Sequence, residues 1–278
     1  TVIPYFNNFV KKIYSSVKNI KIIMHLAAQA GVRYSITYPY KYIKNNVEAQ
    51  ISILELAKKI NNFEHFFYAS SSSVYGFNKK TPFAVADRVD DPASLYGATK
   101  RSGELITSSY SKMFNINCTG LRFFSVYGPW GRPDMAPMLF TDAILNDRAI
   151  KVFNNGEMSR DFTYIDDIVD GIIKVIDNPA KPNKEWDAKK PEIDSSLTAY
   201  RLYNIGNNAP LPLMTFIETI EDALGKKAEK NFMPMQDGDV VSTYADVSGL
   251  INDFGYKPDT QLKDGIKEFV KWYKEFYN

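Results

Sequence analysis

Glu64-His65-Phe66-Phe67-Tyr68-Ala69-Ser70-Ser71-Ser72-Ser73-Val74-Tyr75-Gly76 is an apolar run that ends in a row of hydroxyls. A short apolar run closed by a turn residue reads as a buried strand, here over residues 64–69. Tyr96 follows Ser71 by 25 residues and opens Tyr96-Gly97-Ala98-Thr99-Lys100. Residues 95–114 read as a helix, introduced by Asp91-Pro92-Ala93-Ser94. Side chains four apart share a helix face, so Tyr96 and Lys100 point the same way. A free phenol, with a pKa of about 10, is a poor base at neutral pH. A neighbouring ammonium favours the phenolate, and the positive end of the helix adds to the effect. With a serine hydroxyl beside it, this set can take a proton from an alcohol while a hydride leaves its carbon.

The pattern Tyr-x-x-x-Lys alone is weak. It occurs four times, at Tyr14/Lys18, Tyr40/Lys44, Tyr75/Lys79 and Tyr96/Lys100. Context selects the last, which alone opens a helix downstream of a strand that ends in hydroxyls. In Tyr75/Lys79 the intervening Gly76 reads as a turn, so the two side chains need not share a face.

Outward from this stretch, strands and helices alternate. Residues 6–17 read as an amphipathic helix, 20–26 as a strand, 40–60 as a long helix and 116–124 as a strand. Such alternation predicts right-handed crossovers and a parallel sheet, an α/β fold of the Rossmann-like doubly wound kind. After Gly128 the pattern changes. Pro129, Pro133 and Pro137 crowd a loop before a helix over 138–146. Residues 160–163 and 202–205 read as strands. Residues 165–177, 213–224 and 262–276 read as helices, and 178–200 as a polar excursion. The expectation is a domain over 1–128 and a smaller α/β domain over 129–278. Segments near 160–177 and 201–206 return to the main sheet.

Ligands of open parallel sheets lie beyond the carboxyl ends of the strands. Three candidate groups stand there: Ala27-Ala28-Gln29, Ser70 to Ser73, and Phe124-Ser125-Val126-Tyr127-Gly128. Small residues at the first also allow a flat cofactor close to the backbone.

Composition narrows the classes. The net charge is +2 and the lysines are scattered, which points away from nucleic acid. The single cysteine, Cys118, cannot form an internal disulfide and suits a reducing cytoplasm. It lies in an apolar run and reads as an inert buried thiol. Two histidines, His25 and His65, are too few for a His-based metal site, so no metal is expected. No apolar stretch is long enough to span a membrane. No Gly-x-Ser-x-Gly elbow supports a serine hydrolase.

The residues also carry a resemblance. His25-Leu26-Ala27-Ala28-Gln29-Ala30-Gly31-Val32-Arg33, the Ser70–Gly76 row and Tyr96/Lys100 resemble extended short-chain dehydrogenase/reductases acting on nucleotide sugars. Arg122-Phe123-Phe124-Ser125-Val126-Tyr127-Gly128-Pro129-Trp130-Gly131-Arg132-Pro133-Asp134 is the most specific run. It looks like the UDP-glucuronate 4-epimerases of bacterial capsule and lipopolysaccharide synthesis. Arg160-Asp161-Phe162-Thr163-Tyr164, Tyr203-Asn204-Ile205-Gly206 and Ala245-Asp246-Val247-Ser248 continue it.

The resemblance implies an NAD-dependent C4 epimerase with Ser71, Tyr96 and Lys100 as its catalytic set. NAD would meet Leu26, Ala27, Ala28, Asn46, Ser70, Tyr96, Lys100 and Phe123. The UDP-sugar would meet Gln29, Arg33, Ser72, Ser73, Ser125, Arg132, Arg160 and Asp246. An arginine fork suits a carboxylate or a phosphate, and a surface salt bridge is the plain alternative for each arginine. A homodimer through helices 40–60 and 95–114 is implied as well. A UDP-galactose-type epimerase, a 4,6-dehydratase and a non-catalytic UDP-sugar-binding paralogue are the alternatives. The dehydratase's acidic pair is absent where Ser72-Ser73 stand.

One departure accompanies the resemblance. No Gly-x-x-Gly-x-x-Gly turn precedes His25, and the acidic residue expected to hold the adenosine ribose is missing. Compared with a complete fold of this kind, Thr1 falls roughly 50–60 residues into the domain. A polypeptide starting at Thr1 is expected to bind NAD poorly and not to epimerise UDP-glucuronate, to keep weak UDP affinity through Arg160, and to expose a sheet edge.

Overall fold

A computed structural model describes residues 19–236 and 238–277. The helix expected over 6–17 and the Tyr14/Lys18 pair lie outside the described residues. The chain divides into two compact units. The first takes the described residues through Asn78, with Val85–Arg122 and Lys174–Tyr203. The second takes Lys79–Ala84, Phe123–Ile173 and the residues from Asn204 on. The division therefore crosses the chain more often than a single cut after residue 128.

The first unit is built on a sheet of order β1-β2-β3-β7. Its strands are β1 (Ile22–His25), β2 (His65–Ser71), β3 (Cys118–Phe123) and β7 (Tyr200–Ile205). β1 and β2 run parallel, with Ile22 opposite His65 and His25 opposite Tyr68. β7 lies beside β3, which brings the 174–203 excursion back to this unit. Between β1 and β2 the chain forms α1 (Val32–Thr37), α2 (Pro39–Tyr42), a π-helical stretch (Ile43–Glu48) and α3 (Ala49–Ala57). The single helix read over 40–60 is thus three joined segments. The helix α4 (Leu95–Phe114) occupies the span read in the sequence. Its limits are set locally. The Ser94 hydroxyl accepts the Gly97 amide at the start, and Asn115 adopts the left-handed conformation at the end. The core of this unit joins Leu54, Phe66, Tyr68, Ile116, Cys118 and Leu202.

The second unit holds two small sheets. One has the order β4-β6-β8, from β4 (Ser125–Tyr127), β6 (Ser159–Tyr164) and β8 (Pro210–Pro212). The other pairs β5 (Ile150–Val152) with β9 (Lys230–Phe232). β6 therefore does not return to the main sheet. It pairs in parallel with β4 and antiparallel with β8. Strands β4, β5, β8 and β9 span three residues each, too short to show an alternation. The helices are α5 (Ala136–Leu145), α6 (Ile165–Ile176), α7 (Leu213–Leu224), α8 (Ser248–Phe254) and α9 (Leu262–Tyr277). The apolar faces of α5, α7 and α9 enclose Tyr127, Phe162, Phe216, Ile217, Ile266 and Phe269. Phe162 and Phe216 stack with centroids 4.0 Å apart.

Candidate active site

The serine row begins where β2 ends. Ser71 is the last residue of the strand and caps the 3-10 turn Ser72–Tyr75. Its Oγ accepts the Ser73 amide at 3.2 Å and donates to Ser73 Oγ at 3.2 Å. The start of α4 packs directly on this turn. A Cβ at Gly97 would stand 2.4 Å from the Ser73 carbonyl oxygen, so only glycine permits the approach. That approach brings the helix turn bearing Tyr96 to the serine row. The Tyr42 ring packs edge-on to Tyr96, with centroids 6.1 Å apart.

Lys100 lies one turn further along α4, and its Nζ donates to the Ala69 carbonyl at 2.8 Å. Burial pulls its pKa down to about 8, while Glu104 opposes that fall. His25, at the end of β1, is pulled down to about 4 by burial and by Lys100. It is therefore neutral at pH 7, and Lys100 keeps most of its charge.

Asn46 joins the end of β1 to α4. Its side chain accepts the Gln29 amide at 2.7 Å and donates to the Gln29 carbonyl at 3.0 Å and to Thr99 Oγ1 at 3.0 Å. Thr99 in turn donates to the Tyr96 carbonyl at 2.9 Å. The π-helical stretch places Asn46 inward, buried between these partners. Leu26, Ala27 and Ala28 are exposed beyond β1, and Ser72 and Ser73 are half-buried. The first unit thus gathers Gln29, Asn46, Ser70 to Ser73, Tyr96 and Lys100. Arg33 lies exposed on α1.

The remaining candidates belong to the second unit and are described within it. Arg160 on β6 donates from Nη1 to the Ser159 and Val241 carbonyls at 2.9 and 3.0 Å. Burial lowers its pKa, and Asp239 opposes the fall. Asp246 Oδ1 accepts the Ser248 amide at 2.9 Å. Arg132 forms an exposed pair with Asp134, Nε to Oδ1 at 3.0 Å. Phe123 and Ser125 are half-buried around the end of β3 and the start of β4.

Glu104 and its partners went unread in the sequence. Two signals announce them. Tyr96, Lys100 and Glu104 continue the four-residue spacing along one helix face. Arg122 stands within the apolar strand 116–124, where a buried cation requires an acid. The decoys are placed elsewhere. Tyr40 is exposed, and the buried Tyr75 hydroxyl accepts from Arg122 Nη1 at 3.0 Å.

An α/β sheet carrying a serine row, with a tyrosine and a lysine on the helix behind it, defines a Rossmann-like enzyme of the short-chain dehydrogenase/reductase type. The chain belongs to the NAD dependent epimerase/dehydratase family, whose model matches residues 7–206. It is 53% identical over 257 residues to protein CapI of Staphylococcus aureus, across 92% of this chain and 77% of that protein. It is 46% identical over 258 residues to a probable UDP-glucuronate 4-epimerase of Rhizobium meliloti, across 92% of this chain and 75% of that one. A similar solved structure is the UDP-glucuronic acid 4-epimerase of Bacillus cereus in complex with UDP-glucuronic acid and NAD. The TM-score is 0.82 at 33% identity, covering 97% of this chain and 79% of that one.

Proposed function

We propose that this chain interconverts UDP-glucuronate and UDP-galacturonate by NAD-dependent epimerisation at C4, through a 4-keto sugar. The observation that carries the reading is the Lys100–Ala69 tie beside the serine row, one helical turn from Tyr96. Tyr96 takes the proton from the C4 hydroxyl and returns it to the same oxygen once the keto sugar has turned. Ser71 hydrogen-bonds the same oxygen. Lys100 favours the phenolate of Tyr96. When bound, NAD would supply the hydride acceptor for C4 and, once the sugar has turned, the hydride donor on its opposite face.

The residues of the first unit suit that cofactor. Lys100 spends one of its three donors on Ala69, which leaves two for a ribose. The small exposed Ala27 and Ala28 leave the backbone accessible, and Leu26, Asn46 and Ser70 complete the set in this unit; Phe123, in the second unit, is assigned to NAD as well. In the second unit Arg160 uses only Nη1 on carbonyls among the described residues. Its other donors suit the UDP diphosphate. Asp246 positions the nucleotide. Gln29, Arg33, Ser72, Ser73, Ser125 and Arg132 are assigned to the sugar and its carboxylate. Residues 1–128 then serve mainly the cofactor and 129–278 mainly the UDP-sugar.

Tyr96→Phe tests the chemistry. Turnover should fall at least ~100-fold, the scale of positioned acid–base catalysis. Tyr40→Phe should leave it nearly intact. Equal activity in both variants, measured as conversion of UDP-glucuronate, would remove Tyr96 from the mechanism.

The same reading includes a homodimer through helices 40–60 and 95–114. It is supported by apolar side chains exposed on both, Ile51 on α3 with Leu105 and Met113 on α4. An isologous contact would cover them. Sedimentation at micromolar concentration should show a dimer, and Leu105→Glu should yield monomer. A wild-type monomer counts against the contact. Supply of capsule or lipopolysaccharide precursors in the cytoplasm completes the proposal. Among the described residues no helix is long and apolar enough to cross a membrane.

A further inference from the structure

The Tyr96/Lys100 face of α4 continues to Glu104, which has no solvent exposure. Four donors converge on its carboxylate. Ser70 Oγ and Arg122 Nε reach Oε1 at 2.5 and 2.8 Å. Arg122 Nη2 and Arg101 Nη1 reach Oε2 at 2.9 and 3.0 Å. Arg122 is equally buried, and its Nη1 donates to the Tyr75 hydroxyl and the Val85 carbonyl, each at 3.0 Å. A fork so satisfied is geometrically rigid.

What this cluster holds is the end of β2. α4 is fastened there twice, in register. Lys100 grips the carbonyl of Ala69, and Glu104, one turn on, grips the hydroxyl of Ser70. The next residue is Ser71. Sliding the helix against the strand would break both ties together. We propose that Glu104 is a positioning residue for the Tyr96/Lys100 pair, fastening α4 to the end of β2 and supplying the anion that Lys100 faces. This rests on the reading of Tyr96 and Lys100 as the acid–base pair.

The charges around Lys100 leave Glu104 as its counter-ion. His25 from β1 is neutral at pH 7, β2 presents the Ser70 and Ser71 hydroxyls, and α4 contributes Tyr96 and Arg101. Arg122 from β3 stands behind Glu104. Burial lowers the Lys100 ammonium to about 8, and Glu104 is the group that resists this. Without Glu104 the lysine should release its proton nearer neutrality.

The test follows Lys100 directly, by ¹³Cε NMR of the lysine-labelled chain with Lys100→Arg as the assignment control. Glu104→Gln should lower the Lys100 titration by about one pH unit or more, and Glu104→Asp should restore most of it. Should Glu104→Gln fail to fold, Glu104→Gln/Arg122→Met should lower the Lys100 titration in the same direction by a smaller amount, because Arg122, standing behind Glu104, takes its positive charge with it. The double variant leaves no charge of the buried pair without its partner. In the enzyme assay Glu104→Gln should lower kcat at least ~10-fold while KM stays within about threefold. A folded variant whose Lys100 titrates as in the wild type overturns the proposal, whatever its melting temperature. A wild-type chain that fails to convert UDP-glucuronate sinks the functional reading and leaves the titration to decide this one.

Discussion

Among the described residues two carboxylates are wholly buried, Glu104 in the first unit and Asp161 in the second, and they are satisfied in opposite ways. Glu104 meets the guanidinium fork of Arg122, with Arg101 and Ser70. Asp161 meets backbone amides, with Oδ1 accepting Asn207 N at 2.6 Å and Oδ2 accepting Ala245 N at 2.9 Å. Burial raises the pKa of both. At Glu104 burial is the largest single influence, but Arg122, Ser70 and Arg101 together outweigh it, and the carboxyl ends below its ordinary range. At Asp161 the amides offset burial only in part, and the carboxyl ends above it. Two guanidinium groups and a hydroxyl acting together thus outweigh desolvation where backbone amides alone do not. The consequence is a division of labour. Asp161 ties β6 to the chain at Asn207 and Ala245. Glu104 ties a helix to a strand and also leaves a negative charge beside Lys100.

The largest expected effect breaks the first arrangement. Arg122→Met leaves Glu104 buried with Arg101 as its remaining cation, which is half of a dismantled ion pair. Stability should fall by about 3–5 kcal/mol. Replacing both members in Glu104→Gln/Arg122→Met should recover most of that, because neither member of the fully buried pair is then left without the other. Urea unfolding of the wild type and both variants measures this. A single variant as stable as the double one would show that the fork adds nothing beyond its volume.

Asp161→Asn should cost less, about 1–3 kcal/mol. The amide keeps one acceptor oxygen but turns an N–H₂ toward a backbone N–H that had an oxygen before it. The same unfolding measurement checks it. A loss larger than that of Arg122→Met would reverse the ranking of cation over amides.

The contrast also explains what could be read in the sequence. α4 was legible to its limits because Ser94 and Asn115 act locally, within the segment they bound. The serine row was legible because an apolar strand has to end before polar chemistry can start. The joint at Ile43–Glu48 was not, because a π-helical turn shifts the phase of the face without interrupting its apolar pattern. α1 was passed over because Val32, Ile36 and Thr37 are β-branched and favour strands. The sheet that β6 joins is not legible in the sequence, because its pairing with β4 and β8 depends on residues distant in sequence. Tyr96 and Lys100 were found by spacing, and the same spacing reaches Glu104. It acquires meaning only when Arg122, 18 residues away, is known to face it.

The smallest expected effect is the one whose sign separates the two sites. A carboxyl whose folded pKa is depressed contributes stability that is present above its unfolded pKa and is lost as pH falls through the folded value. That is Glu104. A carboxyl whose folded pKa is raised carries a penalty that is present at neutral pH and is relieved as pH falls through the folded value. That is Asp161. Acidification from pH 7 toward about 4 should therefore shrink the deficit of Glu104→Gln and widen that of Asp161→Asn. Each difference is taken against the wild type at the same pH, so titrations elsewhere in the chain cancel to first order. If both deficits move in the same direction, the partner's charge is not what distinguishes the two buried carboxylates. The reading of Glu104 as the counter-ion of Lys100 would then lose its electrostatic basis.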